Sequence, residues 1–197
     1  MTTKFQYNKT SLQTIDKKLK VLKKALPTLK NKESALRNEV KRAKDDALNT
    51  EKILLETLNN LEFMERLWNE FDQSLISIKD VNLSARKIAG ILTPVLDGIQ
   101  FEIMPFNVFT QPVWFTDGIS ILKNLAEIAI KREVYYKKME LLDYARKKTT
   151  QKVNLYEKVQ IPGFEVAMRK IKRFLEDEEN LSKSAQKILK SKQDNYG

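Results

Sequence analysis

The chain has 197 residues, of which 42% are hydrophobic and 31% charged, with a formal net charge of +10 and neither cysteine nor histidine. That balance is too apolar for a disordered tail and too charged for a compact α/β enzyme of ordinary composition. The missing residue types exclude disulfides, thiolate nucleophiles, a histidine general base and histidine metal sites.

The charge is unevenly spread. Residues 1–44 hold 13 Lys/Arg against three acids, residues 45–130 hold six against 13, and residues 131–175 hold 13 against five. Basic flanks therefore enclose an acidic middle, a polarity that reports on partners and steering rather than on fold. Met1 to Leu12 contains no apolar signal core, and no run approaches about 18 uninterrupted apolar residues. The expectation is a soluble cytoplasmic protein, associated with a membrane only peripherally, through partners.

From Leu12 the apolar residues fall at Leu12, Ile15, Leu19, Leu22, Leu26 and Leu29. The alternation of three and four is a coiled-coil seam. It continues through Glu33, Leu36, Val40, Ala43 and Ala47, then Leu54, Leu58 and Leu61, with Glu33 breaking the apolar rule. One helix over residues 10–80 is predicted, with Pro27 removing a backbone donor inside it at about 3 kcal/mol.

Residues 83–118 read as an insert. Gly90, Gly98, Gly118, Pro94, Pro105 and Pro112 all fall here. Short strands are expected at 87–93 and 98–104, joined through Thr93 to Gly98, because Ile99, Phe101 and Ile103 alternate with Gln100 and Glu102. Phe106, Phe109, Trp114 and Phe115 add an aromatic cluster. Its local charge is near neutral or acidic, which favours packing or a protein contact over stacking on nucleotides. Ile99, Phe101, Trp114 and Phe115 are the expected contact surface of the insert.

A second helix is expected over 119–192. Its seam runs Ile121, Leu125, Ile128, Arg132, Tyr135, Met139, Leu142, Arg146, Thr149, Val153 and Tyr156. The phase changes near Gln160 and Pro162 and restarts with Phe164, Ala167, Ile171, Phe174, Glu178, Leu181, Ala185 and Ile188. An irregular turn at Pro162 follows, since proline can neither donate to the preceding turn nor avoid it.

A narrow seam cannot be buried by one helix, so the two helices are predicted to cover each other. The expected fold is all-α and elongated: a single unit over 1–197, two long helices in an antiparallel left-handed coiled coil, and a short β-hairpin or irregular insert at the turn. Glu176 to Glu179 is a solvated acidic face rather than a metal site, because consecutive helical carboxylates point apart. The lysines of the N-terminal segment are spread around a helix, which disfavours nucleic acid as a partner.

Two stretches resemble a known family. Asn8-Lys-Thr-Ser-Leu12, Lys18-Leu19, Thr28-Leu29-Lys30-Asn31-Lys32 and Leu36 are similar to the N-terminal signature of the D subunit of V-type and A-type rotary ATPases. Val153-Asn154, Glu157, Ile161-Pro162 and Glu165 resemble its Val-Asn-x-x-Glu-x-x-x-Ile-Pro-x-x-Glu motif. Departures are Thr28 for a leucine, Ala25 for a common glycine, Pro27, and Gly163 where a larger residue is usual; they bear on local shaft geometry.

The resemblance implies a non-catalytic central-stalk rotor subunit, one copy per complex and without a cofactor. It would carry torque between the catalytic ring and the ion-translocating membrane ring of a proton- or sodium-translocating ATPase. The implied partners are the catalytic and nucleotide-binding subunits, the small F subunit of the stalk and the membrane-ring cap subunit. Lys17, Lys20, Lys24, Leu181 and Ile188 are the expected ring contacts at the shaft end. The competing expectation is a coiled-coil scaffold with no rotary role, which would have no need of the insert.

Overall fold

The computed structural model describes residues 5–107 and 111–194. The elements in chain order are α1 (Lys9–Asn59), the single turn α2 (Glu65–Trp68), β1 (Ile76–Ile88), β2 (Ile91–Ile103), α3 (Phe115–Asn154), and α4 (Ile161–Asp194). A π-helical turn, Leu155–Gln160, separates α3 from α4. The chain divides into two compact units. One takes residues up to Glu33 together with those from Lys148 on, and the other spans Ser34–Lys147.

In the first unit α1 opens on Asn8, whose Oδ1 accepts the Ser11 N–H at 2.7 Å and satisfies one of the donors left free at a helix start. The helix then passes through Pro27 without a break. Ile15 packs against Ala167 and Ile171 in a buried cluster flanked by Leu12, Phe164 and Leu175. Further along, Lys23 pairs with Glu165, Lys30 with Glu157, and Thr150 donates to Glu33. Partners descend in number as α1 ascends, so the helices of this unit run antiparallel, as two seams joined by one turn-rich segment predict.

The second unit is built the same way, with a hairpin laid on its helices. Leu36, Ala43 and Leu142 form a buried cluster, and the hairpin tip (Ile88, Ala89 and Ile91) packs against it. At the other end of the hairpin, Phe71, Leu75, Phe115 and Ile119 are buried together with Trp68, Trp114 and Ile76 around them. Ring centroids there lie 5.0–5.6 Å apart, mostly edge-on or tilted, the arrangements that aromatic quadrupoles favour.

Four expectations need correction. The first helix ends at Asn59, not near residue 80. Residues 62–75 instead form short turns that deliver Trp68, Phe71 and Leu75 to the aromatic cluster. The hairpin begins at Ile76, and each strand is 13 residues long, so the fold is mostly helical rather than all-α. Its turn is Ala89-Gly90, with φ of 48° and 85°, the pair of positive values a two-residue hairpin turn demands. Thr93 to Gly98, expected to be the turn, is strand interior. Pro94 sits there opposite Ala85, and a two-stranded sheet has free edges on which a residue without an N–H is tolerated. The second helix starts at Phe115 rather than 119.

The predicted irregularity at Pro162 is present. The Ile161 N–H donates to the Tyr156 carbonyl, five residues back. That wider turn inserts one residue into the ladder just where Pro162 cannot donate, and it shifts the seam phase.

Candidate functional site

The residues of the two sequence motifs meet in the first unit. Lys30 Nζ donates to Glu157 Oε1 at 2.6 Å, and Lys23 Nζ lies 2.6 Å from Glu165 Oε1. Val153 is buried and Leu29 and Ile161 are half-buried, whereas Lys32, Asn154 and Pro162 are exposed. Leu36 is fully buried within the second unit. Leu29, Leu36, Val153 and Ile161 are therefore seam residues, and three of the charged motif residues, Lys30, Glu157 and Glu165, tie one helix to the other. Thr150 Oγ1 adds a hydrogen bond to Glu33 Oε1 at 3.0 Å, which gives the polar seam position a partner.

Beyond Leu175 the seam of α4 has no cover among the described residues. Every residue from Glu176 to Gln193 is exposed. Leu181 is 72% exposed, Ile188 57% and Leu189 63%, yet they keep the helical spacing of the buried residues before them. A helix interior stripe left in water forgoes roughly 1.5–3 kcal/mol for each large side chain that a partner could bury. Lys17, Lys20 and Lys24 are exposed on α1, and Lys20 pairs with Asp16 at 2.7 Å. On α4 the Glu179 carboxyl is held below its ordinary range by a hydrogen bond from Lys183.

The insert residues part ways. Ile99 and Phe101 are half-buried, with Lys123 Nζ 5.9 Å from the Phe101 ring centroid. Trp114 is half-buried, but Phe115 is only 2% exposed. Phe115 belongs to the core, not to the expected contact surface, because the first turn of α3 drives it between Phe71 and Trp114. Phe109 lies outside the described residues. Paired strand positions share a face, so Leu83 lies beside Leu96, Ala85 beside Pro94, and Leu92 beside Lys87. Leu83 and Leu92 are exposed there.

One polar cluster was not anticipated. Tyr136 Oη donates to Glu51 Oε2 at 2.8 Å, and Arg132 stands beside both. The hydrogen bond to Glu51 pushes the Tyr136 hydroxyl above its ordinary range. The sequence signal was a charged residue at a seam position, Arg132, with an acid at the matching stretch of α1. Between β2 and α3 a cleft of about 730 Å³ is lined by acids and bases in equal number, Asp46, Asp97 and Glu127 against Arg86, Lys131 and Lys138. It concentrates neither sign of charge. No helix among the described residues is long and apolar enough to cross a membrane.

Antiparallel helix pairing within each unit, a π-helical turn before an Ile-Pro step, and a long two-stranded hairpin define a mostly helical, hairpin-bearing class of fold. Residues 11–191 match the ATP synthase D subunit family, and the chain belongs to that family. It is similar to the V-type ATP synthase D subunit of Borreliella burgdorferi, with 30% identity over 96% of this chain and 95% of the relative. The V-type ATP synthase D subunit of Chlamydia pneumoniae is 24% identical over 98% and 94%. That of Chlamydia muridarum is 25% identical over 98% and 97%.

Proposed function

We propose that the chain is the central-stalk rotor subunit of a V-type ATPase or ATP synthase, present in one copy and carrying torque between the catalytic ring and the ion-translocating ring. Family membership supports this over the scaffold reading. The observation that carries it is the uncovered apolar stripe of α4, which has the spacing of a helix interface and no partner within the described chain. The catalytic and nucleotide-binding subunits would cover Leu181 and Ile188, with Lys17, Lys20 and Lys24 meeting carboxylates as the shaft enters.

Catalysis stays with the partners: the chain supplies stiffness and an asymmetric surface, and holds no nucleotide or metal. The small F subunit of the stalk and the membrane-ring cap subunit would engage the remaining surface, keeping the chain peripheral to the membrane on its cytoplasmic side. By the same reading the hairpin tunes activity through Leu83 and Leu92. Replacing both by Asp should alter the ATPase rate of the complex at unchanged helicity, and an unchanged rate removes that role.

Affinity purification from the native source tests the whole reading. Catalytic-ring subunits should co-purify in fixed stoichiometry. A preparation containing only structural or signalling proteins would favour the scaffold.

A further inference from the structure

The seam of the 34–147 unit is built mainly from small and aliphatic layers. Leu36, Ala43, Ala47 and Leu142 are buried, and Val40, Leu54, Ile128 and Met139 are half-buried. Such ladders pack almost as well when one helix slides by a heptad, so they fix register weakly; a single polar layer fixes it strongly.

Glu51, Arg132 and Tyr136 form that layer. Tyr136 Oη donates to Glu51 Oε2 at 2.8 Å. Arg132 Nε stands 3.7 Å from Glu51 Oε1, and its guanidinium carbon is 5.3 Å from the centroid of the Tyr136 ring. Nε is buried and makes no hydrogen bond among the described residues. The Glu51 carboxylate is therefore the group that offsets its desolvation. The three contacts close on one another across two helices: a carboxylate between a hydroxyl and a guanidinium, and the guanidinium over the ring that carries the hydroxyl.

We propose that Glu51, Arg132 and Tyr136 are the register key of the α1–α3 pair, selecting one alignment among several of similar apolar packing. A slip of one heptad would set Glu51 near Leu125 and Ala129 in one direction, or near Met139 and Asp143 in the other. Neither place supplies a side-chain donor, and the second supplies a like charge. Arg132 Nε would lose its counter-charge at the same time. The cost falls on the slipped states rather than adding to the native one, since the Arg132 and Glu51 side chains are each about one-third exposed and their attraction is screened.

The absence of native cysteine allows a direct test in the full chain. Ala43→Cys with Leu142→Cys reports the observed register, and Ala43→Cys with Tyr135→Cys reports a slip of one heptad. In the parent only the first pair should oxidise efficiently. With Glu51→Leu, Arg132→Leu and Tyr136→Phe added, the slipped disulfide should rise roughly tenfold at unchanged helicity. A slipped yield equal to the parent's overturns the proposal. Should that triple variant unfold, Glu51→Gln with Tyr136→Phe, both close in shape to the native residues, should still raise the slipped yield. No rise there overturns it as well. Exchanging the charges, Glu51→Arg with Arg132→Glu, should restore the single native register, which a merely space-filling role would not predict.

Discussion

Lys30 and Glu157 stand 127 residues apart in sequence, yet Lys30 Nζ donates to Glu157 Oε1 at 2.6 Å. The contact joins the N-terminal motif to the C-terminal one, just where the α3 ladder widens into the π-helical turn. Both side chains are nearly half exposed, so the pair contributes on the order of 0.2–1 kcal/mol. A double-mutant cycle with Lys30→Met and Glu157→Gln, followed by urea unfolding, should give a coupling energy in that range. It should shrink at high salt. A coupling of zero at low salt would make the contact incidental.

Ala89 is the described non-glycine residue with positive φ, at 48°. The left-handed region costs an L-residue about 1–2 kcal/mol. Ala89→Gly should therefore raise stability by about 0.5–1 kcal/mol, after glycine's own entropic cost. Ala89→Val should lower it by more, since a β-branched residue fits that region poorly. Thermal unfolding of the two variants checks the sign, which is the reverse of that expected for a glycine placed in a strand.

Gly118 lies one turn into α3, and a Cβ there would stand 2.9 Å from the Trp114 ring and 3.1 Å from that of Phe71. Alanine gains about 1 kcal/mol of helix propensity, but overpacking a core costs typically about 1–3 kcal/mol. The rings are locked among Trp68, Phe71 and Phe115, so the clash should win. Gly118→Ala is expected to destabilise by about 1 kcal/mol and to change the tryptophan emission. A stabilised protein would mean that the cluster yields.

The helix seams were legible because the three-four alternation of Leu12 to Leu29, and of Leu125 to Leu142, is set by one helix facing another. The irregular turn was legible for a related reason, since Pro162 and the change of seam phase fall at the same place; its π-helical form was not, because neither signal says how the ladder adjusts. The end of α1 was not. Leu54, Leu58 and Leu61 keep the beat past Asn59, but the chain turns there and brings Trp68, Phe71 and Leu75 to the aromatic cluster. The hairpin turn was misplaced because Pro94 and Gly98 look like punctuation. Ala89, the residue whose φ closes the turn, carries no such mark. Phe115 could not be sorted from Trp114 by sequence, since neighbouring aromatics differ only in which one the first turn of α3 directs inward. The Glu51–Arg132–Tyr136 layer was half visible, as a charged residue at seam position 132 whose partner depends on helix register.

If Lys17, Lys20 and Lys24 steer the shaft into an acidic ring, their reversal to Glu should slow assembly with the catalytic subunits. The effect should be largest at low ionic strength, because the screening length is about 10 Å at 0.1 M salt and shortens as salt rises. Stopped-flow assembly with the isolated ring subunits measures it. Equal rates for parent and variant at low salt would leave these lysines as solubilising charges.

On the rotor reading, subunits of the catalytic ring cover the exposed end of α4. A photo-reactive amino acid placed at Ile188 in the full chain, and irradiated in the assembled complex from the native source, asks what covers that stripe. The rotor reading predicts cross-links to the catalytic and nucleotide-binding subunits, with the same probe at exposed Lys190 reaching the same ring. Co-purification of the ring with no cross-link from Ile188, or with cross-links only to proteins outside it, would contradict the placement of α4 within the ring.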